Sequence, residues 1–347
     1  MVTDPLVEAA RTRWLPRFLA QGVPLADATG TLDRIGRWPD WLDAWTATGD
    51  VHEELARVAG GLGRRRTAGE AYVRAALCYH FAKFTWLEDL GKYRAATDRS
   101  VAALQAGLRL LDPTFERLEI PFDRDRIVAN LRRPPGNARA PFVILVPGLD
   151  STKEELTAWE RSFLDRGVAT IALDGPGQGE AGRLNRIRPD YEVAVGALLD
   201  ALARRDDLDR RRIGISGLGM GGYYAIRAAA FEPRITAVGV VGGAYEFARM
   251  PDLVRRKFMH GAQLDDADEA SRYAARFSLE GVTGRVRQPL LVIHGKHDAV
   301  MRWEDAERTA LAAPRGEFVL YPEGNTVCFS VAERYRPYLA DWIAERA

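Results

Sequence analysis

The stretch Arg212–Ala230 reads Arg-Ile-Gly-Ile-Ser-Gly-Leu-Gly-Met-Gly-Gly-Tyr-Tyr-Ala-Ile-Arg-Ala-Ala-Ala: a short apolar run, a glycine-rich turn and an alanine-rich segment. This pattern predicts a strand, a tight turn and a helix. A strand–turn–helix with the spacing G-x-S-x-G is a nucleophile elbow, a turn that lifts a serine above the edge of a sheet. Gly217 and Gly221 occupy the outer positions of that spacing, but Gly219 stands where the serine belongs. The sequence therefore predicts an elbow without a nucleophile.

Ser216 is the nearest alternative nucleophile. The frame that would use it, Gly214–Leu218, lacks the final glycine of the elbow spacing. Ser216 would also lie at the end of the strand rather than in the turn. We interpret Ser216 as a small residue packed beneath the first helical turn.

The composition sets the class of protein. The chain has 347 residues, of which 47% are hydrophobic and 28% charged, and its formal net charge is +1. Such a length accommodates one large α/β domain and a smaller one. A net charge near zero provides no field to gather nucleic acid or an anionic membrane, so we expect neither partner. The first ten residues carry Asp4 and Glu8, and no run of about 18 apolar residues occurs. We therefore expect no signal peptide or membrane span, and reduced thiols at Cys78 and Cys328 in a cytoplasmic protein.

The periodicity of the apolar residues changes near residue 112. Residues 5–111 show only helical periodicity. Beyond them a predicted hairpin is followed by buried apolar runs that alternate with amphipathic helices, which is typical of a mostly parallel sheet covered on both faces. We predict a helical domain over residues 1–112 and an α/β domain over 113–347. Residues 249–288 are predicted to form a helical insertion over the carboxyl edge of the sheet.

The other catalytic side chains of an elbow-bearing α/β fold follow in the order acid, then histidine. Residues 290–298 predict a strand and a turn, and Asp298 has the place of the acid. After the next strand, Thr326 stands where the histidine is expected, and no histidine follows His297. Two of the three catalytic side chains are therefore absent.

An oxyanion hole is built from backbone N–H groups, so it survives the loss of side chains. Its predicted donors are the N–H of Met220, directly after the elbow, and that of Leu149, in the loop after the third strand of the α/β domain. The sequence predicts an anion-stabilising cavity that lacks a serine.

Other polar and aromatic side chains are candidates for the site. His297 flanks the acid, and it either points into the cavity or is a loop histidine bonded to the backbone. His294 and His297 form H-x-x-H, but at a strand end and without a third ligand, so we expect no metal. The candidate substrate contacts are Tyr79, His80, Trp86, Lys153 and Glu246. For these residues, helix packing or helix capping is the alternative interpretation.

Two further runs carry a family resemblance. Residues 147–155 read Pro-Gly-Leu-Asp-Ser-Thr-Lys-Glu-Glu and residues 174–180 read Asp-Gly-Pro-Gly-Gln-Gly-Glu. With the elbow, they resemble the α/β-hydrolases grouped with 2,6-dihydroxypseudooxynicotine hydrolase and the fermentation/respiration switch protein. The resemblance implies an α/β-hydrolase fold with an N-terminal all-helical lid domain, a small-molecule substrate and no cofactor.

The same resemblance assigns the degenerate positions. Gly219 replaces the family's serine, Thr326 replaces its histidine, and Asp298 matches its aspartate. The family includes a cofactor-free carbon–carbon bond hydrolase of an aromatic ketone side chain, along with esterases. A homodimer is implied only because family members associate through the lid.

Three functions are compatible with these observations. The first is a cofactor-free lyase, cyclase or isomerase that acts on a small aromatic or polyketide-like ketone through the oxyanion hole, with Asp298 or a lid histidine as proton carrier. The second is a pseudo-hydrolase that binds a small molecule or a partner without chemistry. The third is slow hydrolysis by water, with Asp298 or His297 as base.

Overall fold

A computed structural model describes residues 4–136, 139–243, 245–247 and 250–347. The chain divides into two compact units, one ending at Phe115 and the other running from Glu116 to Ala347. The predicted boundary at residues 112–113 lies a few residues earlier. Within the described ranges, none of the helices combines the length and the apolar character that a membrane crossing requires.

The first unit is helical, as the periodicity of residues 5–111 predicts. The Asp4 side chain caps its first helix by accepting the N–H of Leu6, and the Asp89 side chain caps its last by accepting the N–H groups of Gly91 and Lys92. An aromatic cluster fills the core and includes the buried Trp41. The helices are α1 (Pro5–Ala9), α2 (Leu15–Ala20), α3 (Leu25–Asp33), α4 (Trp41–Gly61), α5 (Arg65–Lys83) and α6 (Leu90–Leu111).

The second unit is built on one eight-stranded sheet. Its order is β1-β2-β4-β3-β5-β6-β7-β8, where β1, β2 and β4 pair antiparallel and the remaining pairs are parallel. This is the predicted α/β-hydrolase architecture, with helices on both faces. The strands are β1 (Glu116–Phe122), β2 (Asp125–Arg132), β3 (Ala140–Val146), β4 (Ala169–Asp174), β5 (Leu208–Leu218), β6 (Ala237–Val241), β7 (Leu290–His297) and β8 (Gly316–Asn325).

Burial follows the strand pattern. The predicted hairpin is confirmed, with Glu116 opposite Leu131 and Phe122 opposite Asp125. Every residue of β3, β4 and β6 is buried, because helices cover both faces of the central strands. Continuous apolar runs in the sequence therefore identified these strands.

The helices of the second unit include two in the insertion between β6 and β7. The helices are α7 (Thr157–Leu164), α8 (Glu192–Ala201), α9 (Met220–Phe231), α10 (Asp252–Ala262), α11 (Ala267–Ala274), α12 (Trp303–Ala312) and α13 (Ala332–Arg346). The insertion packs on the loop after β4: the Ile187 N–H donates to the Gly261 carbonyl at 2.9 Å, and the Tyr273 hydroxyl donates to the Ile187 carbonyl at 2.7 Å. Because that loop leaves the carboxyl end of β4, α10 and α11 lie at the carboxyl edge of the sheet.

Candidate active site

The elbow is present as a sharp turn between β5 and α9. Strand β5 ends at Leu218, α9 begins at Met220, and Gly219 between them has φ 56° and ψ −117°. The Gly219 N–H donates to the Val241 carbonyl of β6 at 2.9 Å, which fixes the turn to the neighbouring strand. Side chains rarely adopt this positive φ, so glycine relieves the strain that a serine would carry here.

The two outer glycines of the elbow are required by packing. A Cβ atom at Gly217 would lie 2.0 Å from the Gly221 carbonyl oxygen, and one at Gly221 would lie 2.1 Å from the Val146 carbonyl oxygen. Both distances are far inside van der Waals contact, so no side chain fits. At Gly219 the nearest atoms to a Cβ would be 3.8 Å and 3.9 Å away. Residue 219 therefore has room for a side chain, whereas residues 217 and 221 do not.

The predicted oxyanion donors lie on neighbouring loops. The loop after β3 passes directly beside the elbow, because a Cβ at Gly148 would lie 3.1 Å from the Leu218 carbonyl oxygen. Met220 is the first residue of α9, where a backbone N–H has no partner within the helix. Among the described residues, neither the Met220 N–H nor the Leu149 N–H has a hydrogen-bond acceptor. Both groups are available to a ligand oxygen, and their role as an oxyanion hole stays a prediction.

A buried glutamine fixes the loop that carries Leu149. The Gln178 side-chain amide donates to the Pro147 carbonyl at 2.7 Å. Its own carbonyl accepts the Gly175 N–H at 3.0 Å and the Tyr191 hydroxyl at 2.9 Å. Gln178 is 3% exposed, so these bonds are shielded from water. Residues 174–180 thus position the loop of residues 147–155 through the Gln178 side chain.

The structure brings together Asp298 and Thr326, the predicted positions of the acid and the histidine. Asp298 Oδ1 accepts the N–H groups of Val300 and Met301 at 2.8 and 2.9 Å, and Oδ2 accepts the N–H of Val327 at 3.0 Å. The Thr326 hydroxyl accepts the Ala299 N–H at 3.2 Å. A carboxylate that orients a histidine in a catalytic triad here binds three backbone donors instead. Asp298 therefore ties the loop after β7 to the turn after β8, and its role as a proton carrier stays a prediction.

Ser216 and the predicted polar candidates of the second unit differ in burial and in their partners. Ser216 is fully buried inside β5 and donates to the Gly239 carbonyl, as its structural interpretation requires. His297 is exposed at the end of β7, and Glu246 is exposed in a bridge to Ser278. His294 is buried, with Nδ1 2.9 Å from the Gly295 carbonyl. No three His, Cys, Asp or Glu residues in the described ranges are grouped to hold a metal ion.

Lys153 lies in a buried ionic cluster. Its ammonium is 3.0 Å from Asp174, 2.6 Å from Glu154 and 2.6 Å from Glu180. Burial opposes the charge, but the three carboxylates outweigh it and raise the pKa of Lys153. This placement gives no support to the prediction that Lys153 contacts the substrate, which stays a prediction. The ion pairs instead link the two sequence runs that carry the family resemblance.

The candidates in the helical unit are buried and contact other residues of that unit. The Tyr79 hydroxyl bonds to Asp50 at 3.0 Å and to Glu53, and the Arg99 guanidinium lies 4.0 Å from the Tyr79 ring centroid. The Trp86 indole N–H donates to the Trp38 carbonyl at 3.2 Å. The His80 ring packs edge-on against Phe81, with centroids 5.1 Å apart. Helix packing accounts for these three positions, and substrate contact by Tyr79, His80 or Trp86 stays a prediction.

Other residues at the site carried no sequence signal. Met301 and Val327 lie closest to the Cβ position of Gly219, the predicted nucleophile position, but apolar loop residues belong to no catalytic motif. Nearby, a cavity of about 590 Å³ lies between the insertion and the loop after β7. It is lined by Phe247, Met250, Pro251, Asp252, Arg255, Ala270, Ser271, Ala274 and Val300. The N–H of Val300 binds Asp298, so this cavity adjoins the acid loop.

Comparison with known proteins gives matches over most of the chain. The family model described as "Esterase FrsA-like" matches residues 32–327. The chain is 32% identical over 333 residues to 2,6-dihydropseudooxynicotine hydrolase of Paenarthrobacter nicotinovorans, covering 94% of this chain and 90% of that protein. The crystal structure of 2,6-dihydroxy-pseudo-oxynicotine hydrolase has a TM-score of 0.87 and covers 95% of each chain, again at 32% identity.

Other matches are partial or more distant. The 20-hydroxy-prefusarin hydrolase of Gibberella moniliformis is 36% identical over 234 residues, which cover 62% of this chain and 55% of that protein. The match thus spans about half the length of that fungal relative. The structure of AbyA5 has a TM-score of 0.82 at 21% identity, covering 99% of this chain and 94% of that one, which shows a shared fold alone.

Proposed function

Because this chain belongs to the FrsA-like esterase family of α/β-hydrolases, we propose that it is a cofactor-independent enzyme whose chemistry is not hydrolytic. Its reaction is of the lyase, cyclase or isomerase type, on a small aromatic or polyketide-like ketone. The named hydrolases among its relatives act on a pseudooxynicotine and a prefusarin, which favours a small organic substrate. The predicted family resemblance is confirmed by these matches.

One observation carries the proposal: the elbow keeps its geometry while its nucleophile is absent. Gly219 holds φ 56° and ψ −117°, and the N–H groups of Met220 and Leu149 remain without acceptors among the described residues. Such donors can bind the oxygen of a ketone and stabilise the enolate formed when an α-proton leaves. One donor of this kind is worth about 3 kcal/mol of transition-state stabilisation.

The residues at the elbow do not favour an acyl-enzyme. The Ser216 hydroxyl is buried and already bonded to the Gly239 carbonyl. Burial raises the pKa of the Cys328 thiol to about 12, so it is not a thiolate at neutral pH. No histidine occurs after His297 to serve as the base of a triad.

The first test is a fluorophosphonate serine-hydrolase probe together with p-nitrophenyl acetate turnover. We expect the natural protein to resist labelling, and the Gly219→Ser/Thr326→His variant to label and turn over, since a Cβ fits at residue 219. Labelling of the natural protein would contradict the proposal and identify another nucleophile. Slow turnover without labelling would indicate attack by water.

The second test measures enolate formation directly. Incubation with acetophenone in D₂O should place deuterium at the α-carbon faster than buffer does, as read by NMR. The proton leaves to a protein base, the electron pair moves onto the ketone oxygen, and deuterium returns to carbon. A His80→Gln variant that loses the exchange would identify His80 as the proton carrier, and one that keeps it would leave Asp298 as the proposed proton carrier.

A binding protein without chemistry is the second candidate. The observation in its favour is that both Asp298 oxygens are occupied by three backbone N–H groups. Saturation-transfer NMR with acetophenone distinguishes the two: contact without deuterium exchange, for this and related ketones, would favour binding over catalysis.

A further inference from the structure

Two apolar side chains stand above the vacant nucleophile position. A Cβ atom at Gly219 would lie 3.8 Å from Val327 Cγ2 and 3.9 Å from Met301 Cε. A Cβ at Gly242, which follows the neighbouring strand β6, would lie 3.0 Å from Met301 Cε and 3.3 Å from Val327 Cα. We call Met301 and Val327 the apolar roof of the elbow.

One carboxylate holds both residues of the apolar roof. Asp298 Oδ1 accepts the Met301 N–H at 2.9 Å, and Oδ2 accepts the Val327 N–H at 3.0 Å. The two roof residues come from different loops, 26 positions apart in the chain. Their meeting above Gly219 therefore depends on the Asp298 side chain.

The backbone of the apolar roof is strained. Val327 has φ 54° and ψ 26°, a left-handed conformation that β-branched residues rarely adopt. Reciprocal hydrogen bonds close the turn around it: the Ser330 N–H donates to the Asn325 side chain at 2.9 Å, and the Asn325 N–H donates to the Ser330 hydroxyl at 3.0 Å. A glycine or asparagine would occupy this conformation at lower cost. Strain that the surrounding structure enforces is typical of functional sites.

We infer that Met301 and Val327 determine specificity, and that Asp298 is the positioning residue that holds them over the elbow. The apolar roof receives the hydrocarbon part of the ligand, next to the carbonyl group whose oxygen meets the N–H groups of Leu149 and Met220. This inference rests on the proposed function, since it takes the ligand to be a carbonyl compound. The methyl groups of Val327 and Met301 lie 3.8 and 3.9 Å from the Cβ position of Gly219, so the roof itself offers no group that could activate water.

A thiol placed at the elbow tests the apolar roof without any turnover. In the Gly219→Cys variant, the new side chain would project toward the roof. Two reagents label this thiol: N-phenylmaleimide, which is neutral and aromatic, and iodoacetate, which is anionic. Each labelling rate is divided by the rate at which the same reagent labels N-acetylcysteine, and the normalised ratio is the maleimide value divided by the iodoacetate value. Background from Cys78 and Cys328 is low, because burial raises the pKa of both thiols to about 12. We expect the normalised ratio to favour the maleimide by about tenfold or more.

The decisive comparison adds Val327→Asn to the same variant. Asparagine accepts the left-handed backbone but presents an amide, so we expect a higher melting temperature and a normalised ratio near one. Asp298→Asn, which cannot accept both sets of N–H groups, should also lower the ratio. Gln263→Gly is the matched control: Gln263 is an exposed left-handed residue (φ 57°) that ends α10, so this change also relieves strain but should leave the ratio intact.

Three results would overturn the inference. One is an unchanged ratio in the Val327→Asn background, and a second is an equal fall in the Gln263→Gly control, which would indicate general loosening. The third is the absence of labelling by either reagent with Val327→Asn, because the apolar roof would then border no accessible surface. None of these labelling rates depends on catalysis. A failed inference about the apolar roof is therefore distinguishable from a failed proposed function, because the serine-hydrolase probe and the deuterium-exchange experiment test the proposed function separately.

Discussion

Alanine substitutions at three glycines measure separately the packing and the strain of the elbow. At Gly221 the added methyl would lie 2.1 Å from the Val146 carbonyl oxygen and 2.7 Å from the Pro147 carbonyl oxygen. These are backbone atoms at the end of β3, which cannot retreat by about 1 Å without disturbing its pairing with β5. We expect Gly221→Ala to cost more than about 4 kcal/mol, a large part of the stability of a domain.

Gly219→Ala introduces backbone strain without a clash. Its methyl would meet nothing closer than 3.8 Å, so the cost is that of the positive φ, about 1–3 kcal/mol. Gly63 is the matched control: it has φ 72° with nothing within 4 Å of its Cβ position, so Gly63→Ala reports the cost of a positive φ at an open site, about 1 kcal/mol.

Thermal unfolding followed by circular dichroism, supported by urea titrations, ranks the three variants. The expected order of destabilisation is Gly221→Ala well above Gly219→Ala, with Gly63→Ala smallest. At about 2–4 °C per kcal/mol, Gly221→Ala should lower the melting temperature by roughly 10 °C or more, or prevent folding. A mild effect of Gly221→Ala, or an effect of Gly219→Ala as severe as that of Gly221→Ala, would refute the reasoning that residue 219 has room for a side chain and residue 221 does not.

Two further predictions concern the network beneath the elbow. Burial opposes ionisation of Glu180, but Arg117 and Lys153 outweigh burial and lower the pKa of Glu180 from 4.5 to about 2. The ionised Glu180 therefore stabilises the folded protein above about pH 4.5, and this stabilisation is lost as the pH falls toward 2. Urea unfolding of the natural protein and Glu180→Gln should therefore differ by up to about 3 kcal/mol at pH 6 and converge as the pH approaches 2; a constant difference would contradict this reasoning. Gln178→Leu should speed amide hydrogen exchange across residues 147–151, because the bond to the Pro147 carbonyl is lost, and unchanged exchange there would show that this bond does not hold the loop.

The elbow and the sheet could be predicted from the sequence because their signals are local. Gly217 and Gly221 are required by atoms of the turn itself and of the adjacent strand, so their spacing records the geometry. The buried strands read as continuous apolar runs because helices cover both their faces.

The surroundings of the elbow could not be predicted in the same way. Lys153 was a candidate substrate contact in the sequence, but its partners Asp174 and Glu180 lie 21 and 27 residues further along the chain. The lysine and these acids carry no pairing signal in sequence. The predicted homodimer stays a prediction.

What the sequence by itself determined is the fold and the family, since both depend on residue identity at fixed spacing; the loss of two catalytic side chains stays its prediction. Only the tertiary structure decided which groups surround the predicted catalytic positions. Asp298 has the predicted place of a catalytic acid, and the sequence cannot show that its oxygens bind the N–H groups of Met301 and Val327. The physical reason is that backbone donors are the same at every residue. Which of them meets a carboxylate is set by how the loops after β7 and β8 pack, not by which residues they contain.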